Sequence, residues 1–519
     1  MAFISDTTIE KLLTRVDIDG WENGGREMQE LVDHTTGKVF ARVPKGTKED
    51  VLRAEDRARI AQKKWAKVAP ADRAKIIFKF ADLVHENRNW LMDIAQAETG
   101  KARIHIIEEL IDVLLVSRYY AKRAPKWLKD EKIAGPLPLI SKGRVTHNPV
   151  GIVGVVAPWN YPMSLSASDS VPAILAGNAM IIKPDSNTPL SALAIATLMD
   201  KAGLPEHLWQ VVTGPGTEVG STLTDTADFM MFTGSSRTGK AMGEQLGGRL
   251  VGFSAELGGK NAMIVDEGVD YERVAEIATR ACFSNAGQLC IGIERIYAVG
   301  SAYEDFTKVL VDRLERMKIG VGREWEIEMG SLINKKQLDT VQTHLDDAVA
   351  KGARVLSGGK HRPDLGPFVF EPTLLADVPE DAICYRGETF GPINSIYPAK
   401  SIEDAVAQAN DTDYGLNTSI FCKDKKEAQW VADQVNTGQV NVGEGYGIAW
   451  ATLDGPSGGW SDSGKGYRHS KDGLMKYTKS KTIATVNSAV LHLGGPKFLP
   501  TKIWGPVYEQ LSNMMKYMP

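Results

Sequence analysis

Two short stretches of the chain carry side chains that together could perform covalent catalysis. Phe253–Lys260 places the carboxylate of Glu256 before a Gly-Gly turn, and Asn285–Cys290 places a thiol after a Gly-Gln turn. Small residues at both turns would let a substrate and the backbone approach closely. A nucleophilic thiol needs a thiolate form or a base, and an acyl intermediate needs an activated water to release it. Cys290 and Glu256 could supply these two roles.

Neither residue is informative alone, because a free cysteine is most often a small buried hydrophobe and a lone glutamate is most often solvated. The sequence motifs around the pair are more informative, because ELGGK is followed about thirty residues later by NAGQLC. In this order the motifs resemble the aldehyde dehydrogenase superfamily, and six motifs extend the resemblance from about residue 35 to 490. The other cysteines are assigned to packing: Cys282, Cys384 and Cys422.

A third candidate follows an apolar strand. The run Gly151–Ala157 is suited to a buried parallel sheet, and Pro158–Pro162 (PWNYP) comes directly after it. Ligands collect beyond the carboxyl ends of such strands, so Asn160 stands where a site is expected. Its amide could donate to a developing oxyanion, although an asparagine before Tyr-Pro is more often a turn residue. The PWNYP motif resembles that of the family, which implies that Asn160 is the oxyanion donor.

The next part of the chain predicts a nucleotide-binding architecture. Between Val171 and Gly203 the pattern predicts helix, the strand Ala179–Ile182 and a second helix, and another strand follows at Trp209–Val212. The resemblance implies that Lys183 contacts the adenosine ribose. Members that use NAD commonly carry glutamate where this chain has Ser186; a carboxylate there would accept bonds from both ribose hydroxyls and repel a 2′-phosphate. We therefore predict that NADP is used at least as well as NAD.

Phosphate-loop spacing occurs twice, at Gly234–Lys240 and Gly459–Lys465, but the pattern requires a following Ser or Thr to hold magnesium. Ala241 and Gly466 follow instead, so ATP hydrolysis is disfavoured. Phe232–Gly239 resembles the pyrophosphate-binding turn of the family, where a helix start faces the phosphates. We expect no metal centre, because the sequence contains neither H-E-x-x-H nor paired C-x-x-C.

A further motif is ETFGP, which begins at Glu388. Alone, Glu-Thr-Phe would be read as strand and loop, but the resemblance implies that Glu388 and Phe390 embrace the nicotinamide ribose. The cofactor is therefore expected to be NADP or NAD. The full set of cofactor-binding residues implied by the resemblance is Trp159, Lys183, Ser186, Gly216, Gly234, Ser235, Gly239, Leu257, Glu388 and Phe390.

Composition describes an ordinary globular protein. Of the 519 residues, 43% are hydrophobic and 24% are charged, and the formal net charge of −4 gives no general attraction to nucleic acid or acidic membranes. Four scattered cysteines indicate no disulfide framework and favour a reducing, cytoplasmic compartment. We expect no signal peptide and no membrane-spanning segment, because no basic start or long apolar run occurs.

The elements that must position these residues belong to a chain of 519 residues. This is longer than a chain with one ordinary hydrophobic core, so two or three domains are expected. Apolar positions at spacings of three and four predict helices from Lys48 to about Ala121. The resemblance implies the aldehyde dehydrogenase fold: an α/β architecture with a Rossmann-like parallel-sheet cofactor domain, an α/β catalytic domain and a small β oligomerisation element. It also implies a homodimer or homotetramer. The expected boundaries are 1–137 and 149–256 for the cofactor domain, 257–474 for the catalytic domain, 138–148 and 475–490 for the oligomerisation strands and 491–519 for a C-terminal extension.

The substrate is open at this stage. Family members that act on succinate semialdehyde can bind its carboxylate with arginines eight residues after the catalytic asparagine and six before the cysteine, where this chain has Ser168 and Ser284. The overall sequence nevertheless resembles the NADP-dependent succinate-semialdehyde dehydrogenases of the family. Where many members carry a second proton-relay glutamate, this chain has Tyr467–His469. We interpret Arg468 as a solvated arginine, with binding of an anionic substrate as the alternative.

The resemblance implies one mechanism. Cys290 attacks the aldehyde, Asn160 and the Cys290 backbone amide stabilise the oxyanion, and Glu256 activates the water that releases the acid. The predicted reaction is NAD(P)-dependent oxidation of an aldehyde to a carboxylic acid, with succinate semialdehyde as one substrate and apolar medium- or long-chain or aromatic aldehydes as the alternative. Glu256 disfavours a coenzyme A-acylating enzyme. The intact Cys290, Glu256, Asn160 and Glu388 disfavour a non-catalytic scaffold.

The extension after Leu491 carries an apolar stripe with few charges. Such a stripe most often packs on the parent protein or a sister subunit. Contact with a membrane, or a gate over the substrate tunnel, is the sharper but less favoured alternative. The stripe consists of Phe498, Ile503, Trp504, Val507, Tyr508 and Leu511.

Overall fold

The computed structural model describes residues 4–135, 141–486 and 500–516. The chain divides into two compact units, which are Met1–Pro125 with Pro149–Tyr477 and Lys126–Asn148 with Thr478–Pro519. The α-helices of the described residues are α1 (Asp6–Leu13), α2 (Lys48–Trp65), α3 (Pro70–Glu86), α4 (Arg88–Thr99), α5 (Arg103–Trp127), α6 (Pro162–Leu175), α7 (Pro189–Ala202), α8 (Ser221–Thr226), α9 (Ser236–Arg249), α10 (Tyr271–Phe283), α11 (Ala302–Glu315), α12 (Lys335–Ala350), α13 (Ile383–Arg386), α14 (Ile402–Asn410), α15 (Lys425–Gln434), α16 (Gly447–Ala451), α17 (Ser470–Met475) and α18 (Thr501–Met515).

The strands of the described residues are β1 (Met28–Val32), β2 (Val39–Pro44), β3 (Glu131–Ala134), β4 (Ser141–Pro149), β5 (Ile152–Ala157), β6 (Ala179–Pro184), β7 (Trp209–Val211), β8 (Phe229–Thr233), β9 (Gly252–Glu256), β10 (Asn261–Val265), β11 (Ile293–Val299), β12 (Arg354–Ser357), β13 (Thr373–Ala376), β14 (Ile393–Ala399), β15 (Tyr414–Gly415), β16 (Asn417–Phe421), β17 (Gln439–Val442), β18 (Trp460–Ser461), β19 (Gly464–Lys465) and β20 (Thr478–Val486).

One sheet of the first unit has the order β19-β9-β8-β5-β6-β7. Its neighbours are parallel except for β19, which is antiparallel to β9. The chain runs outward from β5 through β6 to β7 and then returns to the other side of β5 with β8 and β9. The strand order therefore reverses between β5 and β8, and residues 158–160 and 234–235 follow these two strands. Open α/β sheets bind ligands at such a point, so the predicted Rossmann-like parallel sheet is confirmed.

The second large sheet has the order β12-β13-β14-β11-β10-β16-β17 and is parallel except between β12 and β13. Because β14, β11 and β10 are parallel neighbours, their amino ends meet at the same edge. The segments that precede them are 387–392, 287–292 and 257–260. This edge therefore brings together the ETFGP motif, the cysteine loop and the Gly-Gly turn, which are far apart in sequence.

Helices α2 to α5 confirm the helical prediction for the amino-terminal region. Helix α6 differs from its prediction, because it begins at Pro162 whereas the sequence pattern indicated helix only from Val171. All of its residues are buried, so the segment lacks the apolar and polar alternation by which a surface helix is recognised. Its start fits the preference of proline for the first helical turn.

The second unit contains a three-stranded sheet of order β20-β4-β3, in which β3 and β4 are antiparallel. The segments predicted as oligomerisation strands, 138–148 and 475–490, contain most of β4 and all of β20, while their residues 138–140 and 487–490 lie outside the described residues. The boundary predicted at residue 256 falls between β9 and β10, which belong to different sheets. The domain boundaries themselves stay a prediction.

The carboxyl-terminal extension includes α18, on which Ile503 and Val507 are exposed and Trp504 is half-buried. Phe498 lies outside the described residues, as do the side chains of Tyr508 and Leu511. Among the helices that the structure describes, none has the length and apolar character needed to cross a bilayer. The role of the extension stays a prediction.

Candidate active site

A strained turn holds Cys290. Asn285, Ala286 and Gly287 all adopt left-handed backbone conformations, with φ of 53°, 55° and 71°. For residues other than glycine this conformation costs energy, and such strain clusters at functional sites. A Cβ on Gly287 would lie 2.1 Å from the carbonyl oxygen of Gly391, so only glycine fits there. The close approach fixes the cysteine loop against the segment that leads into β14.

Cys290 lies between two cavities. One, of about 220 Å³, is formed at the point where the strand order reverses, and we name it the switch-point cavity. The other, of about 210 Å³, is formed largely by α5, α6 and α16, and we name it the helix-side cavity. Cys290 and Asn160 line both cavities. The switch-point cavity is lined by Pro158, Trp159, Asn160, Thr233, Gly234, Ser235, Leu257, Gly258, Cys290, Glu388 and Phe390.

Asn160 is buried and held on both sides of its amide. Its Nδ2 donates to the carbonyl oxygen of Gln288 at 3.1 Å, and its Oδ1 accepts from the backbone N–H of Tyr161 at 3.0 Å. The side-chain amide of Asn285 donates to the Asn160 carbonyl at 3.0 Å. The donor nitrogen is thereby fixed beside the Cys290 loop. There it could donate to the oxygen of an aldehyde whose carbon is attacked by the sulfur.

Glu256 is the last residue of β9 and is only 4% exposed. Burial raises the pKa of its carboxyl to about 7, and the positive charges of Arg468 and Lys476 oppose that rise. Its Oε1 has no hydrogen-bond partner among the described residues. A buried carboxylate oxygen without a partner and with a pKa near neutrality is well suited to accept a proton from water or a thiol.

The thiol of Cys290 needs such a base. Burial raises its pKa to about 12, while Arg468 acts in the opposite direction. A thiol with this pKa is protonated at neutral pH and is a weak nucleophile until a base takes its proton. The negative charge of Glu256 contributes to raising the pKa of Cys290, so the two predicted catalytic groups interact electrostatically.

The switch-point cavity has the donors and acceptors that a dinucleotide requires. Ser235 caps α9 by accepting from the backbone N–H of Thr238 at 3.4 Å, so the positive end of this helix lies at the cavity. Glu388 accepts from the backbone N–H of Gly259 at 2.8 Å, and burial raises its pKa to about 8. A Cβ on Gly258 would lie 2.4 Å from the Glu388 carboxylate. The residues present therefore fit a pyrophosphate and a ribose.

Trp159 and Phe390 form an edge-to-face pair in this cavity, with ring centroids 5.4 Å apart. Leu257 also lines the cavity. A Cβ on Gly239 would lie 2.4 Å from the Cδ2 atom of Leu257. Glycine at 239 therefore lets α9 approach Leu257 closely. These contacts bring together most of the cofactor-binding residues predicted from the motifs.

Besides Gly239, three predicted cofactor residues do not line the switch-point cavity. Lys183 is buried near the carboxyl end of β6, where its Nζ donates to the Pro184 carbonyl at 2.9 Å. Gly216 follows the neighbouring strand β7, and Ser186 is half-buried in the turn after β6. All three lie along the carboxyl edge of the same parallel sheet, so they extend the site away from Cys290.

The helix-side cavity contains polar residues that the sequence did not single out. Asp112 on α5 accepts from the Nε1–H of Trp450 at 2.8 Å, and Arg280 forms an ion pair with Glu108 at 2.8 Å. All four side chains line the cavity. The sequence held no local signal for Asp112, because Trp450 lies 338 residues away.

The two serines that replace arginines are engaged with neighbours. The Oγ of Ser168 donates to Asp112 at 2.6 Å, and the Oγ of Ser284 lies 2.7 Å from the Tyr446 hydroxyl. Arg118 is exposed and pairs with Asp82 at 2.6 Å, so it is not in the cavity. None of these positions offers a cation to a substrate carboxylate.

The interpretation of Arg468 as a solvated arginine is wrong. Its side chain is 3% exposed and forms a charge-paired hydrogen bond to Asp169 at 2.7 Å, with a second donation to Thr233 at 2.6 Å. It lines the helix-side cavity. The neighbouring motif looked like a surface turn, and the buried partner Asp169 lies 299 residues earlier, which is why the sequence misled.

Comparison with known proteins agrees with this geometry. Residues 21–483 match the model of the Aldehyde dehydrogenase family. A protein of Mycobacterium ulcerans with the provisional name succinate-semialdehyde dehydrogenase (NADP(+)) 2 is 51% identical over 469 residues, which are 90% of each chain. The succinate-semialdehyde dehydrogenase (NADP(+)) of Saccharomyces cerevisiae is 34% identical over 91% of this chain and 95% of that protein.

Among solved structures, a betaine aldehyde dehydrogenase of Staphylococcus aureus in complex with NAD+ superimposes with a TM-score of 0.88. The two chains are 29% identical, and the match covers 96% of this chain and 100% of the other. The fold described above is therefore similar to that of this NAD+-bound aldehyde dehydrogenase.

Proposed function

The chain belongs to the aldehyde dehydrogenase family and is an NAD(P)-dependent aldehyde dehydrogenase, and from that premise we propose that Cys290, Glu256 and Asn160 carry out the reaction. The observation that carries the proposal is the position of Cys290 and Asn160 on the walls of both cavities. An aldehyde in one cavity and a dinucleotide in the other would meet at the same sulfur. The catalytic residues are supported by this geometry and by the motifs.

In the first step Glu256 accepts the proton of the Cys290 thiol, and the sulfur adds to the aldehyde carbon. The side-chain amide of Asn160 and the backbone amide of Cys290 donate to the oxygen that becomes negative. Ser235 and Glu388 would hold NAD(P)+ in the switch-point cavity, and the bound cofactor would supply the acceptor for the hydride that leaves this carbon. Loss of the hydride would leave the carbon as a thioester on Cys290.

In the second step Glu256, having passed on its proton, removes a proton from water so that the resulting hydroxide attacks the thioester carbon. The carbon–sulfur bond breaks, and the carboxylic acid leaves Cys290 as a thiol or thiolate. A base with a pKa near 7 can both accept and release protons at neutral pH. The same carboxylate therefore serves both halves of the reaction.

We propose that the cofactor is held by Ser235 and Glu388 near the reacting carbon and by Lys183 at the adenosine end, with Ser186 in place of a discriminating carboxylate. This proposal rests on the cavity lining, on the amino end of α9 and on the position of Lys183 at the carboxyl edge of the sheet. The yeast and mycobacterial relatives are both named as NADP+-dependent dehydrogenases. We infer that NADP is used at least as well as NAD.

Two substrate classes are candidates. Succinate semialdehyde is the substrate in the names of the two relatives, and apolar aldehydes suit the hydrophobic residues of the helix-side cavity, which are Ile111, Leu115, Leu165, Leu289, Ile291 and Leu453. The test compares kcat/KM for NADP reduction by the purified protein with succinate semialdehyde and with butanal. Turnover of at least one aldehyde that requires Cys290 supports the proposed function. Turnover of neither would contradict it.

We further propose a homodimer or homotetramer in a reducing, cytoplasmic compartment. The three-stranded sheet of the second unit offers the edge strands β3 and β20 for pairing with another copy. All four cysteines are free thiols, which fits a reducing environment. Sedimentation equilibrium over a hundredfold range of concentration is the measurement, and a mass of 56.6 kDa throughout would contradict the oligomer.

A further inference from the structure

The charged side chains that line the helix-side cavity differ in whether an oppositely charged side chain pairs with them. Arg280 is paired with Glu108 at 2.8 Å, and Arg468 is paired with Asp169 at 2.7 Å. Each cation that lines the cavity therefore has its own carboxylate. The same holds for the Glu109 carboxylate, which is paired with buried Lys101.

Asp112 is the exception. Its carboxylate accepts hydrogen bonds from the Nε1–H of Trp450 at 2.8 Å and from the hydroxyl groups of Ser168, at 2.6 Å, and Ser164. All three donors are uncharged, and among the described residues Asp112 forms no ion pair. It is 8% exposed and lines the cavity, so its charge is shielded little by bulk water.

The nearest titratable neighbour does not neutralise this charge. The ring of His469 packs edge-to-face on Trp450 with centroids 4.8 Å apart, and it lies close enough for its charge state to respond to Asp112. Burial lowers the pKa of His469 to about 4, so the imidazole is neutral at physiological pH. The wall formed by α5 and α16 therefore carries one carboxylate, that of Asp112, whose hydrogen-bond donors are all uncharged.

From this juxtaposition we propose that Asp112 is a specificity-determining residue that makes the site reject aldehydes with a distal carboxylate and accept uncharged aldehydes of similar length. The inference rests on the proposed function, because it concerns the substrate of the same site. A second carboxylate brought into the cavity would meet a like charge in a place of low dielectric and would lose its own hydration. An uncharged chain meets the apolar wall without either cost.

The matched probes are succinate semialdehyde and its methyl ester, which share the four-carbon aldehyde chain and differ in the distal charge and one methyl group. With the wild-type enzyme and NADP, we expect kcat/KM to be about tenfold or more higher for the ester. This comparison needs no variant and so does not depend on whether a variant folds. A wild-type preference for succinate semialdehyde would overturn the inference while leaving aldehyde oxidation intact, and failure to oxidise either probe or butanal would overturn the proposed function and the inference together.

The variant that assigns the effect is Asp112→Asn, which keeps the shape and an acceptor oxygen for Trp450. We expect kcat/KM for succinate semialdehyde to rise about fivefold or more relative to the ester. The control is Asp82→Asn, which removes a negative charge from an exposed pair with Arg118 outside the cavity and should leave the ratio unchanged. An equal ratio in the wild-type enzyme and a folded Asp112→Asn variant would refute the role of Asp112.

Discussion

The two cavities that meet at Cys290 are built in different ways. The switch-point cavity is formed by strand ends and tight turns, where the backbone at Gly234 and Gly258 and the amino end of α9 provide the contacts. The helix-side cavity is formed by side chains on helices, such as Asp112 and Trp450, which are 338 residues apart. A substitution at a strand end also disturbs the sheet, whereas a substitution of a side chain on a helix face mainly changes the lining of the cavity. The fold therefore specifies the cofactor side, and replaceable side chains specify the substrate.

The largest effect is expected where the cavities join. Cys290→Ala removes the nucleophile, so we expect turnover to fall by at least about a thousandfold with every aldehyde. Binding of NADP, measured by calorimetry, should change little because the remaining lining of the switch-point cavity is intact. Cys422→Ala is the control, since it removes a half-buried thiol that lines neither cavity. Residual turnover above one per cent would mean that the two cavities do not share this sulfur as nucleophile.

Glu256→Gln is expected to slow the first half of the reaction and to block the second. The amide cannot activate water, so we expect steady-state turnover to fall about a hundredfold or more. Because Glu256 also takes the proton of the Cys290 thiol, stopped-flow absorbance should show reduced cofactor forming slowly, up to one equivalent per active site, followed by a stall. Recovery of the acyl enzyme by mass spectrometry would identify the stalled species. Normal steady-state turnover would remove Glu256 from the release of the acid.

The wild-type pH profile reports on the same carboxylate. Burial raises the pKa of Glu256 to about 7, and only its ionised form is a base. Activity should therefore be low at pH 5.5 and rise with pH through about 7, which is the opposite of the behaviour of a required acid. An ordinary carboxyl would complete its rise near pH 5. A flat profile between pH 5.5 and 8 would show that this proton does not limit turnover.

A smaller effect is expected from the charge pair between the cavities. Arg468→Met removes a cation that lowers the pKa of Glu256, so the rising limb of the pH profile should move to higher pH. The variant also leaves Asp169 buried with only the more distant Lys476, at 3.9 Å, as an ionic partner, which costs up to about 3–5 kcal/mol of the free energy of unfolding. The double variant Arg468→Met with Asp169→Asn should recover stability.

The two readouts distinguish an electrostatic role from a structural one. If Arg468 acts on Glu256 through its charge, the pH shift should persist in the stable double variant, although loss of the Asp169 charge offsets part of it. Lys476 also lowers the pKa of Glu256 and is unchanged in both variants. A double variant that is stable and has the wild-type pH profile would assign Arg468 to packing alone.

The sequence predicted the switch-point cavity better than the helix-side cavity. The ELGGK, NAGQLC and PWNYP motifs and the alternation of strands and helices indicated the parallel sheets and placed Cys290 near Glu256, because these are local features of strand ends and turns. The start of α6 was missed because a helix buried on every side has no periodic pattern.

The environment of the substrate could not be predicted in this way. The partners of Asp112 and Arg468 come from elements hundreds of residues apart, and nothing in the local sequence indicates which side chains meet. The sequence favours a solvated Arg468 because arginine is almost never fully buried unless it is paired, and its partner Asp169 is remote in the sequence. Long-range pairing of buried charges depends on how the helices pack on the sheets, which only the structure shows.

The smallest effect is expected at the far end of the switch-point side. Ser186→Glu introduces a carboxylate in the turn after β6, near Lys183, where it can accept from ribose hydroxyls and repel a 2′-phosphate. We expect the ratio of kcat/KM for NADP to that for NAD to fall about tenfold, on the order of 1.4 kcal/mol. Ser186→Ala removes the hydroxyl without adding charge and should leave the ratio within about twofold. Because this turn is remote from the helix-side cavity, the preference between succinate semialdehyde and its methyl ester should stay constant in both variants. A change in that preference would show that the two sides of Cys290 are coupled, and the division of roles between them would fail.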